Sequence, residues 1–205
     1  MRAVRLVLAS LLLASLGVAS WVALPVQAVE VVGHRHLSPS YVQEVTGLKP
    51  GSPWLWAWPH RLKPLLQNPW VREARLERPA WGQLRIVLEE RTPIASLVQN
   101  SRRYGLSADG VLLPGAPPRT PQIRGLGEAP LAELVRLVEL FPKAQEIRYG
   151  VGGYQVRLEG LWVWGQSVRE LQGWAELRRI GPSASGNPLG AERVYVYSWG
   201  VSARR

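Results

Sequence analysis

The sequence predicts an α+β protein with an N-terminal transmembrane helix, a small β-α-α-β-β unit, and a mostly antiparallel β domain with helices on one face. Three observations predict it. The chain carries no charge from Leu6 to Val29. The order strand, helix, helix, strand, strand then fills residues 29–95. After Ala95, short strands recur between turn residues, interrupted by two amphipathic helices.

The uncharged run, with Leu6, Leu11, Leu16 and Trp21 along it, is long enough to cross a bilayer as a helix, which takes roughly 20 residues at about 1.5 Å each. A cleaved signal peptide is the competing reading. Pro25 breaks the helix, and Val26 and Ala28 are the small residues a cleavage site wants. The run exceeds the ~7 to 15 residues of a signal core, which favours a retained anchor. With Arg2 and Arg5 in front, the positive-inside rule keeps the amino end in the cytoplasm and exports residues 30–205.

In the exported part, Val29, Val31 and Val32 suggest a strand closed by Gly33. Ser38 and Pro39 offer a cap and a first helical position for a helix with Tyr41, Val42 and Val45 on its apolar side, stopped at Gly47. A second helix over Pro59–Gln67 would bury Leu62, Leu65 and Leu66, and Pro64 distorts it. Val71–Glu77 and Gln83–Glu89 are strands joined through Pro79 and Gly82. Leu84, Ile86 and Leu88 point to one face, and Gln83, Arg85 and Glu89 to the other.

At this point the residues carry a resemblance. Asn68, Pro69, Trp70, Val71, Glu73 and Ala74, followed by Glu90, Arg91, Pro93, Ile94 and Ala95, are similar in order and spacing to the "PWV-x-x-A … ER-x-P-x-A" pattern of POTRA domains in the FtsQ/DivIB family of bacterial division proteins. The motif positions are Pro69, Trp70, Val71, Ala74, Glu90, Arg91, Pro93 and Ala95. The resemblance implies two helices on one face of a three-stranded mixed sheet whose exposed edge can accept a partner strand. It also implies protein docking rather than catalysis, in a single-pass protein of the bacterial inner membrane at the division septum. The domains expected are 1–28, cytoplasmic stub and anchor; 29–95, POTRA; and 96–205, an FtsQ-like β domain.

Beyond Ala95, Ser96–Gln99 and Arg103–Leu106 are strands around a polar turn, and Ala108–Gly110 turns into Val111–Leu113. The stretch RYGLSADGVLLPG, with PQIRG after it, resembles the family's "LVD-x-x-G-x-x-F … LP-x-L-x-G" passage, with Leu113 where an aromatic is common. Pro130–Leu140 is a helix with Leu131, Leu134, Val135, Leu137 and Val138 on its apolar face. Strands follow at Glu146–Tyr149, Gln155–Leu158 and Leu161–Trp164, then a helix over Ser167–Ile180 presenting Val168, Leu171, Trp174 and Leu177. Gly181–Gly190 is a loop. A final strand covers Arg193–Val201.

That last strand, β-branched and aromatic, is expected at a sheet edge, where its backbone can pair with another chain. The resemblance implies that this region recruits a partner of the FtsB/FtsL type, with FtsK, FtsW and FtsI as further divisome candidates, and so regulates septal peptidoglycan synthesis. The expected partner-binding residues are Tyr195, Val196, Tyr197, Ser198 and Trp199, which stand where the family's "D-L-R-Y" character is absent. Ordinary sheet packing is the alternative role for the three aromatics among them.

Catalytic patterns are lacking. His34 and His36 alternate without a third ligand in spacing. No G-x-S-x-G elbow, phosphate loop or dinucleotide fingerprint occurs. Glu89 and Glu90 point to opposite faces and form no acid–base couple. The reading is a protein that is not an enzyme, with no cofactor, small-molecule substrate or nucleic acid. There are no cysteines, so burial alone holds the exported fold. The net charge of +10 is almost all arginine, with Lys49, Lys63 and Lys143 the only lysines. These arginines form no long run and suit a solvated surface facing an anionic membrane or wall polymer. A secreted or anchored cell-wall-binding protein is therefore the alternative function. Ten tryptophans call for cores or interfaces.

Overall fold

A computed structural model describes residues 10–12, 14–19, 24–180 and 192–204. The chain divides into two compact units, Met1–Arg91 and Thr92–Arg205.

In the first unit, strand β1 (Ala28–Val32) is followed by helix α1 (Pro39–Thr46), a 3₁₀ turn at Trp54–Trp56, a second at Pro59–Leu62, the single-turn helix α2 (Lys63–Leu66), and strands β2 (Val71–Glu77) and β3 (Gln83–Glu90). The sheet order is β1-β3-β2, with β1 parallel to β3 and β2 antiparallel to it. The local chemistry of α1 is as its sequence dictates: the Ser38 hydroxyl accepts the Tyr41 N–H, Pro39 occupies the first turn, and Gly47 closes the helix at φ 65°. Leu84, Ile86 and Leu88 are all at most 4 % exposed and pack on Val42, Leu62, Leu65 and Val71. Each such side chain contributes about 1.5–3 kcal/mol on burial.

The second helix departs from expectation. Pro59–Gln67 is a 3₁₀ turn leading into one α-turn, which puts Pro64 in the first turn, where its missing N–H costs nothing. Leu62 and Leu65, three apart, share the inward side, and Leu66 turns outward at 47 % exposure rather than joining the core.

The carboxyl-terminal end of the uncharged run belongs to the first unit. Val26 is 2 % exposed within the core of the first unit, Pro25 bridges Pro53, and Ala28 opens β1. The small residues expected at a cleavage site, Val26 and Ala28, are thus part of the folded first unit. Residues 10–12 and 14–19 are helical, with Leu11 and Leu16 exposed, whereas Leu6 and Trp21 lie outside the described residues. Among the described residues no helix is long and apolar enough to cross a membrane.

The second unit is a nine-stranded sheet. Its strands are β4 (Pro93–Gln99), β5 (Arg102–Ser107), β6 (Leu112–Pro114), β7 (Gln122–Gly125), β8 (Glu146–Gly150), β9 (Gly153–Leu158), β10 (Leu161–Gly165), β11 (Arg193–Tyr197) and β12 (Gly200–Arg204). Helix α3 (Leu131–Leu140) joins β7 to β8, and α4 (Val168–Ile180) precedes β11. The order is β12-β11-β10-β9-β8-β7-β4-β5-β6, parallel at β4–β7, β7–β8 and β10–β11 and antiparallel elsewhere. Leu134 and Leu137 of α3 and Leu171 of α4 share one core with Ile123, Ile147, Val156, Val163 and Val194, so both helices cover the same face. Leu177 is 68 % exposed and not part of that core, contrary to its place in the helical pattern. The loop expected at Gly181–Gly190 lies outside the described residues.

Candidate functional site

The carboxyl-terminal end of the sheet differs from expectation in which segment forms the edge. Arg193–Val201 is not one strand. The chain reverses at Ser198 and Trp199, and β11 pairs with β10 on one side and β12 on the other. Tyr195, Val196 and Tyr197 therefore sit inside the sheet, and the edge belongs to β12. Its members Val201, Ser202, Ala203 and Arg204 are exposed and were not among the residues expected to bind. Gly200 after the aromatic run was the one available sign of the reversal.

The pleat assigns each residue a side. Val194 and Val196 are 3 % exposed and face the core. Tyr195 and Tyr197 face away from the helices, beside Trp164 of β10, with ring centroids 6.1 and 5.7 Å from it. Trp199 stacks on Tyr197 at 5.0 Å and 11°, yet remains 81 % exposed. Ordinary packing and availability to a partner thus divide along the run: Val196 is structural, the tyrosines are half-buried, and Trp199 is open.

On the helix side, β12 borders a groove of about 770 Å³ between the β11–β12 hairpin and α4, lined among others by Trp174, Leu177 and Val201. Arg169, Glu170 and Glu176 line it too, and a strand added along β12 would alternate its side chains between this mixed groove and the opposite face of the sheet. Leu177 escapes the core because it faces this groove.

The opposite face carries arginines among aromatics. Cross-strand neighbours place Arg157 and Arg193 on either side of Trp162. The guanidiniums of Arg148 and Arg157 lie 4.7 and 5.6 Å from the Trp162 ring, an attractive cation–π geometry. Arg148 also donates to Glu146 at 2.8 Å. Arg148, Arg193, Gln155 and Tyr195 help line a depression of about 230 Å³ between Trp162 and Trp164.

In the first unit the motif residues have structural work. Asn68 accepts the Trp70 N–H at 3.0 Å and donates to the Tyr41 hydroxyl at 3.1 Å. The Glu90 carboxylate accepts the backbone N–H groups of Arg35, His36 and Leu37 at 3.0, 2.7 and 3.1 Å, holding the loop after β1. Arg91 donates to the carbonyls of Pro69 and Val71. Trp70 and Val71 are buried, and Ala74 packs on the core. Pro93 and Ala95 instead lie on β4 in the second unit, where Ala95 is fully buried, because the chain enters the second sheet at Pro93. Glu73 is exposed, and the hydrogen bond from Arg75, reinforced by its charge, holds the Glu73 carboxyl below the usual range.

The His34 Nδ1–H donates to the Val31 carbonyl at 3.1 Å, and His36 stacks on Trp70 at 3.7 Å. Among the described residues no group of three or more histidines, aspartates or glutamates is placed to hold a metal.

The first unit is thus a mixed three-stranded sheet with helices on one face, and the second a nine-stranded sheet that ends at β12. Residues 24–91 match the family described as "POTRA domain, FtsQ-type". That segment is an FtsQ-type POTRA domain, the kind of domain found in the FtsQ/DivIB division proteins that the motif residues resemble. No curated protein matches the chain.

Proposed function

We propose that the chain is a bitopic membrane scaffold of the bacterial divisome, anchored through the run from Leu6 and exporting residues 30–205. The POTRA domain docks other division proteins, and the end of the distal sheet recruits an FtsB/FtsL-type partner, thereby regulating septal peptidoglycan synthesis. The observation that carries this reading is the position of β12 at the sheet edge beside the groove that holds Trp174, Leu177 and Val201, in a chain that carries an FtsQ-type POTRA domain. Edge strands offer unpaired backbone donors and acceptors, and a partner strand satisfies them.

The test is capture of FtsB/FtsL-type ectodomains by the full chain and by a truncation ending at Trp199, with circular dichroism to establish that both fold. Loss of capture on removing β12 supports the reading; equal capture by the folded truncation moves the interface elsewhere. The arginines around Trp162 favour a second reading, a cell-wall-binding protein that meets anionic polymer directly. Binding to wall polymer that fades as salt rises, with no capture of division ectodomains, would replace the first reading by the second.

A further inference from the structure

The first unit gathers tryptophans where the chain enters it. The Leu24 carbonyl accepts the Trp54 N–H at 2.9 Å, the Val26 N–H reaches the Ser52 carbonyl at 2.7 Å, and the Gln27 N–H reaches the Gly82 carbonyl at 2.7 Å. Both the Trp54–Trp58 segment and the β2–β3 turn are thereby pinned to residues 24–27. Trp54 and Trp81 stack at 4.8 Å. The Arg78 guanidinium lies 5.2 Å from Trp54 and 5.8 Å from Trp58, and donates to the Ala57 carbonyl at 2.7 Å. Even so, Trp56, Trp58 and Trp81 remain 43, 50 and 69 % exposed. Indoles combine a large apolar body with one N–H donor, and they are favoured at the level of lipid headgroups, where both parts are satisfied.

We propose that this tryptophan corner is a membrane-interface surface, and that its occupant is the headgroup layer of the bilayer holding the uncharged segment in front of it. The inference rests on the anchor reading above and adds a contact that a span alone does not require. A span of roughly 20 residues beginning at Leu6 reaches the bilayer surface near residue 25. Residues 24–27 are the ones bonded to the corner, so the corner is tied to the chain at the position where such a span would end. Arg78 supplies a cation at the depth of anionic phosphates. Strand β3 leads away from the corner, from Gln83 to Glu90, over roughly 25 Å at about 3.3 Å per residue. Arg35, tied to Glu90, therefore marks the distal end. With the corner seated, the bilayer fixes the direction of the POTRA domain and the height at which its edge strand β2 is offered.

The absence of cysteine allows clean labelling. Trp58→Cys, Trp81→Cys and Arg35→Cys are made singly in the full chain, labelled with a nitrobenzoxadiazole fluorophore and reconstituted into phosphatidylcholine–phosphatidylglycerol vesicles carrying headgroup nitroxide lipid. Labels at 58 and 81 are expected to be quenched by the nitroxide lipid and shielded from aqueous iodide, and the label at 35 to behave oppositely. Equal iodide access at all three sites, in chains that withstand an alkaline wash, overturns the surface and leaves the anchor standing. Release by the wash overturns both. Shielding without nitroxide quenching assigns the corner to a second copy or another protein and overturns the lipid occupant. Native fluorescence provides a reading without cysteine: brominated lipid should quench the wild type more than the Trp58→Phe/Trp81→Phe variant, and equal quenching also overturns the proposal.

Discussion

The ring of Trp199 stacks on that of Tyr197 at 5.0 Å across the reversal that starts β12, and Trp199 keeps four-fifths of its surface in water. An exposed aromatic on a packed partner is preorganised for binding and supports the fold little. Trp199→Ala is therefore expected to change stability by no more than about 0.5 kcal/mol. Capture of an FtsB/FtsL-type ectodomain should weaken at least about tenfold. Thermal melting and a binding titration on the same samples separate the two effects, and undiminished binding removes Trp199 from the interface.

Glu90 and Glu89 are adjacent in sequence and opposite in consequence. Glu90 accepts three backbone donors, whereas Glu89 meets Arg72 at 3.1 Å on an exposed surface. Glu90→Gln is expected to cost about 1–2 kcal/mol in urea unfolding, because one amide oxygen replaces two carboxylate oxygens. Glu89→Gln should stay within about 0.5 kcal/mol. Similar values for the two would contradict the structural role given to Glu90.

Gly125 lies where Tyr149 comes close. A Cβ there would stand 2.4 Å from the Tyr149 carbonyl oxygen and 2.5 Å from its ring. Gly125→Ala should destabilise by about 1–3 kcal/mol as β7 and β8 shift. Gly173, inside α4, has open space around its Cβ position, and Gly173→Ala should stabilise by up to about 1 kcal/mol through helix propensity. Thermal melting of the pair tests the contrast in sign.

Tyr154 donates its hydroxyl to Glu133, and burial, with that bond and the nearby charge, raises its pKa to about 12. The folded state holds this proton more tightly than the unfolded chain, whose tyrosines titrate near pH ~10. The associated stability is present below pH ~10 and is lost as pH rises toward about 12. Wild type should thus lose more stability across that window than Tyr154→Phe, as read from urea midpoints at stepped pH. Parallel curves would count against the shift.

Much of the POTRA domain was legible in order and spacing. Ser38, Pro39 and Gly47 bound α1 by local backbone chemistry, and alternation at Leu84, Ile86 and Leu88 named the buried face of β3 before any partner strand was known. Pro64 signalled a distorted second helix, yet the turn-by-turn change from 3₁₀ to α that leaves Leu66 in water depends on packing. The β11–β12 reversal was hidden for a local reason. Tight hairpins usually announce themselves with glycine or asparagine at positive φ, and Ser198 and Trp199 make this one without it. Val194 to Tyr197 therefore ran on visibly into Val201 as a single alternating strand.

By itself the sequence determined the kinds of element, their caps, the inward face of each strand and the motif that marks the POTRA domain, because these depend on neighbours a few residues apart. Only the tertiary structure decided that β4 lies beside β7, that β11 is enclosed by β10 and β12, and that β12 holds the edge next to the Leu177 groove. Those outcomes join residues far apart in the chain, and a strand's own side chains do not record whether its backbone donors and acceptors will find a neighbour on one side or on both.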